Sequence, residues 1–278
     1  MDIVAGFFVV QITLIAVVLA LHTYIGLHVV RRSIIFSDLV LDQLAAFGAM
    51  AGIGLGIRYG TSGSYLFSLI AVLIGSFLLA VVVPRDKRIP REAVIGIMYA
   101  MAMVASLLLG DKMTGGGNYV TKMLAGSMLW VNWKLVTVTA VVYILLAVFQ
   151  FVFRDKFIRL VDPDSELRHR RIWDFLFFTT QGIITVLVVP IAGVLLAYAF
   201  LMIPAAIAAM FFSDWIRAVV FGWAVGFAAC LIGLFASYNW NLPYGPSLVL
   251  VMGAFFLGAA AIRALMPRKA AVEGGALQ

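Results

Sequence analysis

Asp38 and Asp42 are four residues apart at the start of an apolar run. On a helix that spacing puts both carboxylates on one face. Acidic groups in or beside a membrane-length apolar segment are costly, so they are functional candidates by default. Ser37 and Gln43 add oxygen donors nearby, and carboxylate and carbonyl oxygens suit hard or borderline divalent cations. Two carboxylates this close repel unless a cation or a basic residue stands between them. A structural reading competes: Asp is a favoured helix N-cap, and Asp38 stands where a helix would begin. Asp42, one turn further in, fits that reading less well.

His22 sits late in the first apolar run, where a hydrogen-bonded packing role competes with a ligand role. His28 is expected at the level of the lipid headgroups. Ser237 to Pro246 is rich in turn formers and aromatics. It reads either as an interfacial aromatic belt with a Pro-Gly turn or as an outer gate built on Tyr238, Asn239 and Asn241. Cys230 is single and lies in an apolar run, which reads as a packing residue. No nucleophile with its base, metalloprotease helix, phosphate-binding glycine loop or redox motif is present. If the chain pumps, a partner supplies the ATPase.

The elements that must hold these residues are membrane spans. Of 278 residues, 64% are hydrophobic and only 12% charged, about half the charge of a soluble domain. A span needs about 20 mostly apolar residues. Candidates are 4–27, 38–57, 65–83, 93–110, 135–153, 218–236 and 245–262. Between them, 175–213 runs for 39 residues without a charge, enough for two spans with a turn near Pro190 and Gly193. The first run lacks a basic leader and is long enough to span, so it is expected to be a span and not a signal peptide. The runs are continuous and too long for barrel strands. The predicted fold is all-α: a polytopic transmembrane helical bundle of about nine spans, with eight to ten as the range the pattern allows. Residues 1–266 form a single membrane domain, and 267–278 form a short disordered tail.

Charge orients the bundle. With the N-terminus outside, the inner segments hold 16 of the 20 Lys and Arg residues, leaving Arg58, Lys112, Lys122 and Lys134 outside. The positive-inside rule then places the C-terminus in the cytoplasm of a multi-pass cytoplasmic-membrane protein. The basic residues lie between spans and form no stripe with interleaved aromatics, so the net charge of +7 reflects topology and not nucleic-acid binding. An outer segment, Tyr119 to Trp130, reads as a short amphipathic interfacial helix. The inner loop from Arg154 to Arg171 carries charges of both signs, and is either a solvated loop or a docking surface for a soluble partner.

Five stretches in order carry a family resemblance. They are Val29-Val30-Arg31-Arg32-Ser33 through Phe36-Ser37-Asp38; Arg91-Glu92-Ala93-Val94-Ile95-Gly96-Ile97; Leu124-Ala125-Gly126-Ser127-Met128-Leu129; Leu201-Met202-Ile203-Pro204-Ala205-Ala206; and Pro243-Tyr244-Gly245-Pro246-Ser247. Together they resemble the permease subunits of ATP-binding-cassette importers for zinc, manganese or iron, over nearly the whole chain. The resemblance implies a homodimer with the path at the dimer interface. It also implies cytoplasmic ATPase subunits, an extracytoplasmic metal-binding protein, a divalent metal ion as cargo, and no covalently bound cofactor.

In that family a second-helix Asp-x-x-x-His pair is thought to contact metal. The Asp matches Asp38, whereas the His position holds Asp42, so Asp38 and Asp42 are the implied metal residues. The family's outer Asp falls on Asn241. Its inner Asp-Pro-Glu corresponds to Asp162-Pro163-Asp164-Ser165-Glu166-Leu167, but the Gly-Leu-Pro element that follows is absent and Arg168 comes next. The implied ATPase-docking residues are therefore Asp162, Pro163, Glu166 and Arg168. These departures leave open a related permease for another solute, a degenerate partner in a heterodimer, or a membrane scaffold that kept the fold.

Overall fold

The computed structural model describes residues 2–84, 86, 88–126, 131–162 and 165–266. Every regular element among them is a helix. In chain order these are α1 (Asp2–Arg31), α2 (Phe36–Gly54), α3 (Ser62–Val81), α4 (Arg91–Lys112), α5 (Gly116–Ala125), α6 (Trp133–Val152), α7 (Arg154–Arg159), α8 (Arg170–Phe211), α9 (Trp215–Asn239) and α10 (Tyr244–Leu265). Without water in the bilayer core, a helix satisfies its own backbone groups, which is why apolar runs of this length fold this way. Eight of the ten, all but α5 and α7, are long and apolar enough to cross a membrane. Asn132 and Asp214 cap α6 and α9 by accepting from Leu135 N–H at 3.0 Å and Arg217 N–H at 2.9 Å.

The 42-residue α8 is a hairpin of two passages. Gly193, at φ 78° and ψ 163°, interrupts the helical conformation. Near its start, Asp174 pairs with Arg32 at the end of α1. Just beyond its end, the carbonyls of Phe212 and Ser213 accept from Arg31 at 3.4 and 2.8 Å. Both ends of α8 therefore lie beside the same two arginines. The midpoint lies at the other end of the bundle, where the Pro190 carbonyl accepts from Tyr59 in the α2–α3 loop at 3.4 Å. Gly126, at φ 71°, backs onto this turn so closely that a Cβ there would collide with the Ala192 carbonyl. Eight spanning helices with one folded on itself make nine passages, as the charge-free 39-residue stretch predicts.

The central helix pair is α2 and α8. Helix α2 packs on α3, α4 and α8, and α8 also carries α1, α3, α9 and α10. One end of the bundle gathers Arg31, Arg32, Arg91, Arg154 and Arg170, and is called the basic end below. The amphipathic segment expected over 119–130 is helical over Gly116–Ala125, with Met123 buried against the bundle, and residues 127–130 lie outside the described residues. It is docked on α4 and α8 and does not float at an interface. The 267–278 tail also lies outside the described residues.

Candidate functional site

Asp38 and Asp42 lie on the buried face of α2, both 2% exposed or less. The capping reading of Asp38 fails. The N-cap position is Ile35, and the α2 amide of Phe36 is instead capped from another helix by Glu92 Oε1 at 2.8 Å. Asp38 Oδ1 accepts from Gln181 Nε2 at 3.0 Å, a bond between α2 and the first half of α8. Thr185, one turn beyond Gln181, stands beside Asp42. Asp38 Oδ2 and both oxygens of Asp42 lack a partner at full hydrogen-bond geometry, the Thr185 hydroxyl being a near polar neighbour of Asp42. Three carboxylate oxygens thus face the interior without a full hydrogen bond, a costly arrangement unless protonated or bound to a cation.

Of the two accessory donors, Ser37 is buried with its hydroxyl unpartnered. Gln43 lines a separate cavity of about 20 Å³ with Met50, Ser106 and Val194, room for about one water. It is therefore removed from the carboxylate face, as its position a quarter-turn around α2 requires.

His22 is a hydrogen-bonded packing residue. Its Nδ1 lies 3.0 Å from the Val18 carbonyl and 3.3 Å from the Tyr143 hydroxyl, and its ring stacks on Tyr143. Tyr143 is within electrostatic reach of both carboxylates. His28 differs from the headgroup-level expectation. It is fully buried among Tyr24, Phe177 and Trp215, because the α8–α9 connection covers the end of α1. Among the described residues, no group of three or more His, Cys, Asp or Glu is placed to hold a metal ion. One chain offers two carboxylates plus neutral oxygens, a donor set for a hard cation and not for thiolate or multi-histidine coordination.

The other sequence candidates lie elsewhere. Tyr238 is exposed, with its ring edge against Phe8; Asn239 bonds back to the Phe235 carbonyl at 3.0 Å; Asn241 holds a left-handed turn at φ 50°. All three are at the end of the bundle opposite the basic end. From Asp42 to the end of α2 there are twelve residues, about 18 Å of rise, so the carboxylates and the expected gate do not meet. At the basic end, Asp162, Glu166 and Arg168 are exposed, and Pro163 lies outside the described residues. The segment around them is organised. Arg170 donates to the carbonyls of Leu160 and Asp162 at 2.8 and 3.0 Å. Helix α7 is pinned by Phe157, wholly buried against Phe149, Trp173 and Phe177.

One cluster escapes the sequence reading. Asp174 pairs with Arg32 through Oδ1 and lies 3.6 Å from Arg91 through Oδ2. Arg32 also stacks over Phe177 at 4.9 Å, and Arg91 donates to the Leu79 carbonyl at 3.0 Å. The signal for it was an acidic residue abutting a long apolar run, beside Trp173.

A model of the ABC 3 transport family matches residues 5–263. An uncharacterized membrane protein of Synechocystis sp. is 28% identical over 246 residues, covering 86% of this chain and 84% of that protein. A "probable metal transport system membrane protein" of Chlamydia muridarum is 23% identical over 167 residues, 58% of this chain and 57% of its own length. Among solved structures, a chain of PsaBC from Streptococcus pneumoniae in complex with Fab superposes with a TM-score of 0.71 at 19% identity, covering 92% of this chain and 95% of that one. The nine-passage bundle and the near full-length family match point the same way: this chain belongs to the ABC 3 transport family.

Proposed function

We propose that this chain is the membrane-spanning permease subunit of an ATP-binding-cassette importer for a divalent metal ion, in the cytoplasmic membrane with its basic end inward. The observation that carries the reading is the buried carboxylate pair of Asp38 and Asp42, with three oxygens left without a partner at full hydrogen-bond geometry. Family membership and the Chlamydia muridarum relative, a probable metal transport system membrane protein, support metal transport, and the Streptococcus pneumoniae structure supports the fold. In this reading Asp38 and Asp42 take the cargo ion in transit, with Gln181 and Thr185 as neutral neighbours. An ATPase subunit docks on α7 and on Asp162, Pro163, Glu166 and Arg168. An extracytoplasmic metal-binding protein delivers the ion at the Tyr238–Asn241 end, and a second copy of the chain completes the path. The pair is closed off from solvent, so passage of an ion requires α2 and α8 to part, the rocking of packed elements general to transporters.

The test is uptake of radiolabelled zinc, manganese and iron by cells expressing the complete transporter. Asp38→Asn and Asp42→Asn should each abolish uptake of one of these metals while the protein remains in the membrane. Unchanged uptake in both variants would remove the ligand role. A second reading has its own observation: an aspartate at the position where the resembling permeases carry histidine. It makes the chain a permease for another solute or an unequal partner in a heterodimer. Isolation of a homodimer that transports one of the three metals would eliminate it.

A further inference from the structure

Outside the carboxylate site lies a cleft of about 690 Å³ between α6 and α9. Both helices pack on α1 but stand apart from each other, so α1 forms a recessed floor with Leu21 and Tyr24. The walls are apolar and face the bilayer: Ile144 on α6 and Ile216 and Val220 on α9 are all more than half exposed. At the basic end the lining changes character. Gln150 reaches the cleft from α6, and Arg154 follows four residues later. Gln150 is 1% exposed, yet neither its amide nitrogen nor its amide oxygen has a hydrogen-bond partner. The Tyr24 hydroxyl is also unpartnered.

A buried side-chain amide left without hydrogen bonds is costly, so a ligand with acceptors at that level is favoured. Arg154 is 56% exposed and its contact with Asp155 is 3.7 Å on the surface, a pairing that holds it weakly. The remaining charge at the mouth, Asp214, is already engaged as the cap of α9 and as the neighbour of Arg31.

We infer that this cleft is a binding site for one membrane glycerophospholipid. Its phosphate sits on Arg154, its ester oxygens accept from Gln150 and Tyr24, and one acyl chain lies over Leu21 between Ile144 and Val220. The order of groups along the cleft matches the order in such a lipid: charged at the membrane surface, polar one helical turn deeper, apolar beyond. A second protein chain fits less well. A spanning helix satisfies its carbonyls with its own amides and so offers Gln150 and Tyr24 no free acceptors, whereas the ester oxygens of a lipid are free to accept. The bound lipid would fill the gap between α6 and α9 and brace α1.

The full-length chain, extracted from membranes and exchanged through mild detergent, should retain a phospholipid detectable by native mass spectrometry. Arg154→Ala should lower that retention about tenfold, the loss of one charge-assisted contact to phosphate. Ala147→Trp, which fills the α6 wall, should remove it. Arg263→Ala, a charge loss on α10 outside the cleft lining, should leave it unchanged. Adding phosphatidylethanolamine or phosphatidylglycerol vesicles should raise the melting temperature of the delipidated wild type and leave that of Ala147→Trp unmoved. If Ala147→Trp fails to fold, the exposed Arg154 variant decides. Equal retention in wild type and Arg154→Ala overturns the site. So does a covalent link between two copies through Ile144→Cys and Val220→Cys, which would make the occupant a second chain.

Discussion

Two buried acidic sites stand in one bundle and are treated in opposite ways. Asp174 is enclosed by Arg32 and Arg91, and the arginines are themselves covered by Phe177 and Phe178. Asp38 and Asp42 share a single hydrogen bond at full geometry, donated by the Gln181 side-chain amide to Asp38, and neither forms an ion pair among the described residues. A charge with its partner in place is structural: it ties the end of α1 to the starts of α4 and α8. A charge without one is a standing cost that the fold tolerates only where something else arrives to meet it. The contrast separates the residue that holds the helices from the pair proposed to take the cargo ion, although all three are aspartates of similar burial.

That contrast can be broken by mutation. The largest effect should come from Asp174→Ala, which strands Arg32 in the interior. Removing one partner of a buried ion pair costs about 3–5 kcal/mol, so the protein should lose most of its folded yield and its melting transition in detergent. A variant that melts like wild type would show the node to be dispensable. Asp42→Asn should do the reverse. It removes a buried charge and the repulsion from Asp38, so thermal stability should hold or rise while transport disappears. A melting temperature several degrees below wild type would place Asp42 with Asp174 as a structural residue.

Smaller effects should follow from the backbone devices that set the two sites. Gly193→Ala places a side chain at φ 78° and ψ 163°, a conformation essentially confined to glycine, and should cost about 1–3 kcal/mol, read as a lower melting temperature with the carboxylate site intact. Glu92→Gln weakens the cap on the Phe36 amide and should cost about 0.5–1 kcal/mol. Because that cap fixes the start of α2, the loss should appear as faster amide exchange at 36–39 and not across α8. Uniform exchange changes in both helices would deny the cap its local role.

The spans were legible because apolar length is a one-dimensional property. Seven runs and one double-length stretch needed no partner to be recognised, and the Gly193 turn stood where the charge-free run was too long for one helix. Asp38 and Asp42 were legible as well, since a carboxylate inside such a run is conspicuous and a four-residue spacing fixes their shared face. Their surroundings were not. Gln181 and Thr185 lie some 140 residues away and look like ordinary polar residues in a long apolar stretch. Glu92 was visible only as a motif member, its capping of another helix being a contact across 56 residues.

The sequence by itself therefore determined that the chain crosses about nine times, where the apolar middle of each span lies, and which side chains are expensive to bury. Those follow from local composition and helical periodicity. Tertiary structure alone decided which expensive groups are paired. It set Arg32 and Arg91 on Asp174, left Asp42 without a partner at full hydrogen-bond geometry, and opened the α6–α9 cleft beside Gln150 and Arg154. The physical reason is that charge compensation depends on distance in space, and the folded path of α8 is what brings residues far apart in the chain within that distance.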